Sequence, residues 1–588
     1  MSYLLPWLIL IPVLAGIVIV AIALLGGPQL ASRAAQAVSI LLLVASCWVA
    51  MSYAIEGPAG VSASAEAAGG ATIQPLWVFQ PSWLSARLPS GSSLAPSLWN
   101  FSLGLDGIGG LMLLLSSLVT CVAILIGKDQ VGQSHGLMGG WLLIASGAMA
   151  MVFLAMDLLT FYIGFELALI PLFALVAGWG TDRKESFTAA RRFVLFTLAG
   201  SIPMVLGLLA LASLGGGASW TWDFVRLSSA AAAPSGLAGR GSESWAFWLL
   251  LWGLGIKMAI LPLHAWLPPT YRACHPVGTA FLGAVAVKMG LFGFLRLLLP
   301  MLPQACIQYG PWVLGSLGAA AILYGAFAAL GQKDLRTLLA YSSLSHVGFI
   351  MLGLFSLTSE GLAGGVLQMF HHGLTTAAMF LLVGAIGARI GTYDWQDATG
   401  GLAGRWPHLA AFFVFFTMAG AGMPGLNHFV GELLSLLGMA RVAPWLSAVG
   451  CAGVLLGAWY ALRMVHRLFF GTSSSEKPPR KGADAAAVVT GDLGWRPILV
   501  FSFMAAVALY GGLVPSHWLQ LFRADTDRIA QQLYQRNGSA ASAKRLSEAS
   551  IESSQRHGPT LVTRRFLSEH DGQALNVGQT PTTLHLLP

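Results

Sequence analysis

Apolar residues run along this chain in long blocks separated by short polar connections. Blocks long enough to cross a bilayer as helices fall at about 4–25, 36–55, 104–127, 137–155, 157–178, 190–213, 245–267, 277–299, 311–330, 335–356, 361–388, 407–439, 445–470 and 497–516. They predict about fourteen transmembrane helices, numbered here as runs 1 to 14. In lipid every backbone N–H and C=O must be satisfied internally, and blocks this long are not barrel strands, so the fold class expected is an all-α polytopic membrane protein. Composition agrees: 56% of residues are hydrophobic and 10% charged, against roughly 25% charged in soluble domains. Run 1 has no basic residue ahead of it and exceeds a signal-peptide core, so it reads as an uncleaved span.

The polar connections are asymmetric in charge. Those after odd-numbered runs hold Arg33, Lys128, Arg183, Lys184, Arg272, Lys333, Arg389, Arg405, Lys477, Arg480 and Lys481. Those after even-numbered runs hold little beyond Arg87, Arg226, Arg240 and Arg441. The positive-inside rule then puts both termini outside the cytoplasm, on the periplasmic side of a bacterial inner (cell) membrane. This scatter explains the net charge of +8 without a nucleic-acid partner, since no aromatic-basic stripe exists.

The five cysteines, Cys47, Cys121, Cys274, Cys306 and Cys451, lie far apart with no CxxC, so neither an iron–sulfur cluster nor a zinc site is indicated. GAGMPG at 420–425 matches GxGxxG, but it contains proline inside an apolar run with no strand before it, and reads as a helix break.

The organisation expected is residues 1–127 with runs 1–3 and an outer-face insertion at about 56–99, then 128–300 with runs 4–8 and an insertion at about 215–243. Residues 301–475 hold runs 9–13, 476–520 a cytoplasmic loop and run 14, and 521–588 a polar tail, partly helical or disordered.

Against this background the ionisable residues inside the runs stand out: Glu166, Lys257, Lys288, His346, His371, His372 and Glu432. A lysine at mid-bilayer costs roughly 2.5 to 3.5 kcal/mol on insertion scales, and such a residue normally faces a protein interior or a wet cavity. Gly253, Gly255 and Pro262 bracket Lys257, and Gly420, Gly422, Pro424 and Gly425 precede Glu432. Interrupted helices at corresponding places predict two inverted five-helix repeats, runs 4–8 and 9–13, with runs 7 and 12 discontinuous. At about 7 Å and an effective dielectric of about 20, Glu166 and Lys257 would attract by roughly 2.4 kcal/mol, close to the roughly 2.3 kcal/mol needed to carry one charge across 100 mV.

Blander roles are a structural ion pair for Glu166 and Lys257, snorkelling of Lys288 toward the Arg296 end of its helix, and simple interhelical contacts for the histidines. His264, beside Pro262, reads as interfacial. Tyr341, Ser342, Ser343 and Ser345 offer hydroxyls to a water path or to close packing. The charges are spread along the chain rather than clustered like metal ligands, so no metal site is expected.

The segments FELALIPLFALVAGWG (165–180), KMAILPLHAWLP (257–268), DLRTLLAYSSLSHVGF (334–349), HGLTTAAMFLLVG (372–384) and PGLNHFVGE (424–432) resemble the antiporter-like subunits of respiratory complex I, and most of all the chain M, or subunit 4, family of NADH-quinone oxidoreductase. The resemblance covers about residues 1–520. It implies a proton-translocating membrane-arm subunit with neighbouring antiporter-like subunits as partners and lipid around it. It also implies no cofactor in this chain, with NADH, FMN, iron–sulfur clusters and quinone in partner subunits.

By the same likeness Glu166 partners Lys257, and Lys288, His346, His372 and Glu432 continue a polar axis along which protons load near Lys257 and leave near Glu432. His371 is an additional histidine. After run 7 the family commonly carries LPDAH followed by EAP, whereas this chain reads LPPTYRACHP, made basic by Arg272. Within transport, the alternatives are a subunit of a multi-subunit cation/proton antiporter or of a membrane-bound hydrogenase; outside it, a non-transporting scaffold.

Overall fold

Helices dominate the computed structural model, which describes residues 1–67, 72–81, 84–86, 99–180, 182–214, 220–233, 240–395, 400–470 and 491–556. The chain forms two units, Met1–Leu533 and Tyr534–Pro588. In the second, residues 534–556 are helical.

Among the described residues eleven helices are long and apolar enough to cross a membrane. One stretch, Gly107–Leu154, takes in runs 3 and 4. Runs 7 and 12 each give two shorter pieces, Arg240–Lys257 with Leu267–Ala273, and Pro407–Gly420 with Asn427–Ala440. These account for the difference from the fourteen runs of the sequence.

The layering follows hydropathy. Pro276–Met301 is buried throughout, Ser359–Ile390 packs beside it, and Leu335–Phe355 packs in turn on Ser359–Ile390 at the centre of the bundle. Helices such as Ser2–Leu24, Arg183–Leu214 and Pro444–Phe470 form the rim and turn Ile202, Leu206, Leu455 and Trp459 outward. Large apolar side chains on an outer face are what a lipid solvent selects, because leaving water no longer drives them inward.

The structure adds to the sequence expectation at three places. The first insertion is not wholly irregular: the helix begun at Pro28 runs to Ala67, and Trp77–Phe79 pairs antiparallel with Leu103–Leu105 while Ser85–Ala86 pairs with Trp99–Asn100. A little β-structure therefore accompanies the helices; residues 68–71, 82–83 and 87–98 of that insertion lie outside the described residues. The second insertion holds the helix Phe224–Ala232, capped by Asp223, whose carboxylate accepts from the Arg226 amide; its residues 215–219 and 234–239 lie outside the described residues, as do 471–490 of the expected cytoplasmic loop.

The third is the polar tail, whose beginning is helical and packed on the bundle. Helix Pro515–Arg556 starts ahead of it, and Phe522, Ile529 and Leu533 are buried together with Asp525, Thr526 and Gln532. Asp525 accepts from the Gly107 amide at 2.8 Å, Gln532 donates to the Pro300 carbonyl at 3.1 Å, and Ser359 donates to Asp527. Residues 557–588 of the tail lie outside the described residues.

Candidate functional site

Two helix interruptions set out the buried charges. Helix Arg240–Lys257 stops at the lysine, and turns lead through Pro262 to Leu267. Pro12 and Pro203 lie inside continuous helices, so Pro262 alone does not end this one; lacking an N–H and restricting the residue before it, it disfavours resumption of the ladder there. Trp266 ties the break closed by donating its indole N–H to the Ile256 carbonyl at 2.8 Å. Lys257 is thereby left on the last turn of its helix, where the negative end of the backbone dipole favours a cation.

The second interruption runs from Ala421 to Leu426, with Gly422 at φ +74° and Gly425 at φ +87°. Both are left-handed positions that residues with a Cβ rarely adopt. Asn427 opens the next helix and anchors it, donating to the His371 carbonyl at 3.2 Å and to the Thr375 hydroxyl at 3.1 Å.

Lys257 is 1% exposed, and its Nζ has no hydrogen-bond partner among the described residues. It sits over two aromatic faces, 4.7 Å from the Phe165 ring centroid and 5.9 Å from Phe193, and such faces attract cations. Glu166, next to Phe165 in sequence, makes no ion pair with it within 4.0 Å: Oε1 accepts from the Ser201 hydroxyl at 2.5 Å instead. No ion pair within that distance joins the two in this conformation, and the carboxylate is held instead by Ser201.

Lys288 does not snorkel. It is fully buried, and Nζ lies 2.7 Å from the Gly283 carbonyl and 2.8 Å from His372 Nδ1. A π-helical turn at Leu282–Ala286 directly precedes its helical segment, a distortion frequent at functional sites. Arg296, toward which snorkelling would have pointed, is itself buried in a bidentate pair with Asp106, at 2.5 and 2.9 Å.

From Lys288 the polar line continues. His372 Nε2 is 3.3 Å from the Ser343 hydroxyl, and the rings of His372 and His346 are 5.5 Å apart between centroids. His346 Nδ1 is 3.0 Å from Glu432 Oε1. A cavity of about 40 Å³ borders Ser342, Ser343, His346, His372 and His428; that is room for about three or four waters at about 10–15 Å³ each.

Two participants were missed from the sequence. His428 lies one turn before Glu432, with Nδ1 3.5 Å from Oε1, and Gln368 Nε2 donates to Oε1 at 3.0 Å and approaches His428 Nδ1 at 3.2 Å. The i, i+4 spacing of His428 and Glu432 was visible, since such residues share a helix face; nothing local pointed to Gln368. Charges dispersed along the chain do converge here: one donor atom each from His346, His428 and Glu432 lie within 4.8 Å of one another.

The other two candidates stand apart. His371 is buried against Trp518 and Gly511, and neither ring nitrogen has a partner among the described residues. His264 packs on Tyr324 at 5.1 Å, half-buried.

The transmembrane family described as NADH:quinone oxidoreductase/Mrp antiporter matches residues 155–457. NADH-quinone oxidoreductase subunit M of Pseudomonas aeruginosa is 33% identical over 486 residues, 81% of this chain and 89% of that protein. NADH-ubiquinone oxidoreductase chain 4 of Marchantia polymorpha is 32% identical, over 74% of this chain and 83% of that one. A chain in respiratory complex I from Thermus thermophilus with bound NADH superposes with a TM-score of 0.74 at 29% identity, covering 90% of this chain and 99% of that chain. A chain of the Mrp complex from Dietzia sp. gives 0.73 at 20% identity over the same shares, a likeness of fold alone. With the subunit M and chain 4 proteins as its relatives, the chain belongs to the NADH:quinone oxidoreductase/Mrp antiporter transmembrane family.

Proposed function

We propose that this chain is a proton-translocating subunit in the membrane arm of an NADH-quinone oxidoreductase, driven by quinone reduction in partner subunits that hold the redox groups. About fourteen crossing helices, two inverted repeats formed by runs 4–8 and 9–13, and termini on the outer face belong to this reading. The breaks after Lys257 and before Glu432 are then corresponding features of the two repeats.

One observation carries the proposal: Lys288, His372, Ser343, His346 and Glu432 form a buried line of exchangeable groups through the centre of the bundle. Lys257 and Glu166 lie outside that line. Lys257 takes up a proton when Glu166 turns from Ser201 toward it, gives it up when Glu166 turns back, and the line carries it to Glu432. The ordering from Lys257 to Glu432 follows the family likeness.

Glu166→Gln removes the charge with little change of shape. NADH-driven proton uptake by inverted membrane vesicles falls in this variant at equal content of assembled complex; unchanged uptake would overturn the proposal. Purification of the chain from native membranes separates pump from antiporter: iron–sulfur and quinone-site subunits accompany it in the first case, and only small membrane subunits in the second.

A further inference from the structure

The convergence of His346, His428 and Glu432 has a chemistry beyond proton transfer. Two imidazoles and a carboxylate are a donor set for a divalent transition metal, zinc above all. Tetrahedral zinc with bonds of about 2.0–2.2 Å sets its ligand atoms about 3.3 Å apart. Here His346 Nδ1 and His428 Nδ1 stand 3.0 and 3.5 Å from Glu432 Oε1, on either side of that spacing. The two rings are perpendicular, with centroids 4.9 Å apart, so they approach the carboxylate from different directions.

A fourth ligand is at hand. The Gln368 amide faces the same oxygen through Nε2, while its carbonyl Oε1 is buried without a partner. Turning the amide by half a revolution presents the carbonyl oxygen to the site. The adjoining cavity, bordered by His346 and His428, supplies water as the alternative. The other carboxylate oxygen faces the interruption at Ala421–Leu426: a Cβ on Gly422 would lie 3.0 Å from Glu432 Oε2, and glycine keeps that contact open.

We infer that His346, His428 and Glu432 form a zinc-binding site whose occupation blocks the outlet of the proton line. Binding stands independently of the pumping role; the block rests on it. Zinc held there takes the nitrogen and oxygen lone pairs through which protons pass between His346 and Glu432.

The test uses the purified whole complex with Zn²⁺ alone, assayed by metal content after gel filtration and by X-ray absorption. Wild type carries one zinc more per complex than His428→Gln. His428→Cys, which keeps a donor at the same place, retains that zinc and adds a Zn–S distance of about 2.3 Å. Equal zinc in wild type and His428→Gln, or a Cys variant with no Zn–S distance, overturns the site. For the block, the zinc concentration that halves proton uptake, relative to each variant's own zinc-free rate, rises at least tenfold in His428→Gln. An unchanged concentration with the zinc nonetheless lost would refute the block and leave the site and the pumping role standing.

Discussion

Lys288→Met probes the contact between Lys288 and His372, whose nitrogens are 2.8 Å apart. Were both protonated, they would repel by about 6 kcal/mol at an effective dielectric of about 20. At about 1.36 kcal/mol per factor of ten, that disfavours double occupancy by a factor on the order of 10⁴. The two sites therefore carry at most one charge between them, and a proton arriving at the lysine expels any charge-bearing proton from the histidine. Methionine keeps the volume and removes the repulsion, so a proton on His372 is no longer driven onward. Inverted vesicles fed NADH report the outcome as protons taken up per NADH oxidised. That ratio falls in Lys288→Met by this chain's share of the total, and Lys288→Arg, which keeps the charge, retains part of it. A wild-type ratio in Lys288→Met, with the variant subunit present in the complex, would refute the single-charge argument.

Further expectations concern the supports of the line. Gly422→Ala forces a Cβ into a left-handed backbone position, about 1 kcal/mol of strain, and crowds Glu432 Oε2; proton uptake drops while assembly, checked by native gel, persists. Arg296→Leu leaves Asp106 buried without its bidentate partner, at a cost of about 3–5 kcal/mol, and the thermal midpoint of the purified complex falls. Adding Asp106→Asn recovers part of that fall; no recovery would mean the pair acts through packing alone. Burial first, then the neighbouring Asp106, push the Asp525 carboxyl up from 3.8 to about 7 against the pull of Arg528 and Arg296. A raised carboxyl favours the docked helix fully below about pH 4, and that contribution is lost as pH rises through about 7. Hydrogen exchange across 515–533, corrected for intrinsic rates, is accordingly faster at pH 8 than at pH 6, and Asp525→Asn flattens the difference. Equal wild-type protection at the two pH values would contradict this.

The sequence made legible what depends on local pattern. Apolar block length located the helices, and Gly253 to Pro262 and Gly420 to Gly425 announced the interruptions, because proline and closely spaced glycines act on the residues beside them. Contacts between distant segments were not legible. Arg296 and Asp106 are 190 positions apart, and nothing near either names the other. The family motifs pair Glu166 with Lys257 but give no sign of Ser201, whose hydroxyl donates to the Glu166 carboxylate. His428 lies in the family motif PGLNHFVGE with nothing to mark it as a partner of His346; only folding of Leu335–Phe355 against the start of Asn427–Ala440 brings the two together. The tail looked featureless because its few apolar residues, Phe522, Ile529 and Leu533, are diluted among polar ones and meet the bundle along a single stripe.

The isolation of Lys257 bears on leakage. A conductor of protons that ran unbroken from one face of a membrane to the other would discharge the gradient it helps to build, at any moment and without regard to electron flow. The polar line from Lys288 to Glu432, hydrogen-bonded except between His372 and His346, does not reach Lys257, whose Nζ rests on Phe165 and Phe193. Aromatic faces hold a cation but relay no proton, so this stretch works as an insulating gap that closes only when the lysine or its neighbours move. On the proposed proton path this conformation is an open circuit, and the motion that bridges the gap is where an energy source would act.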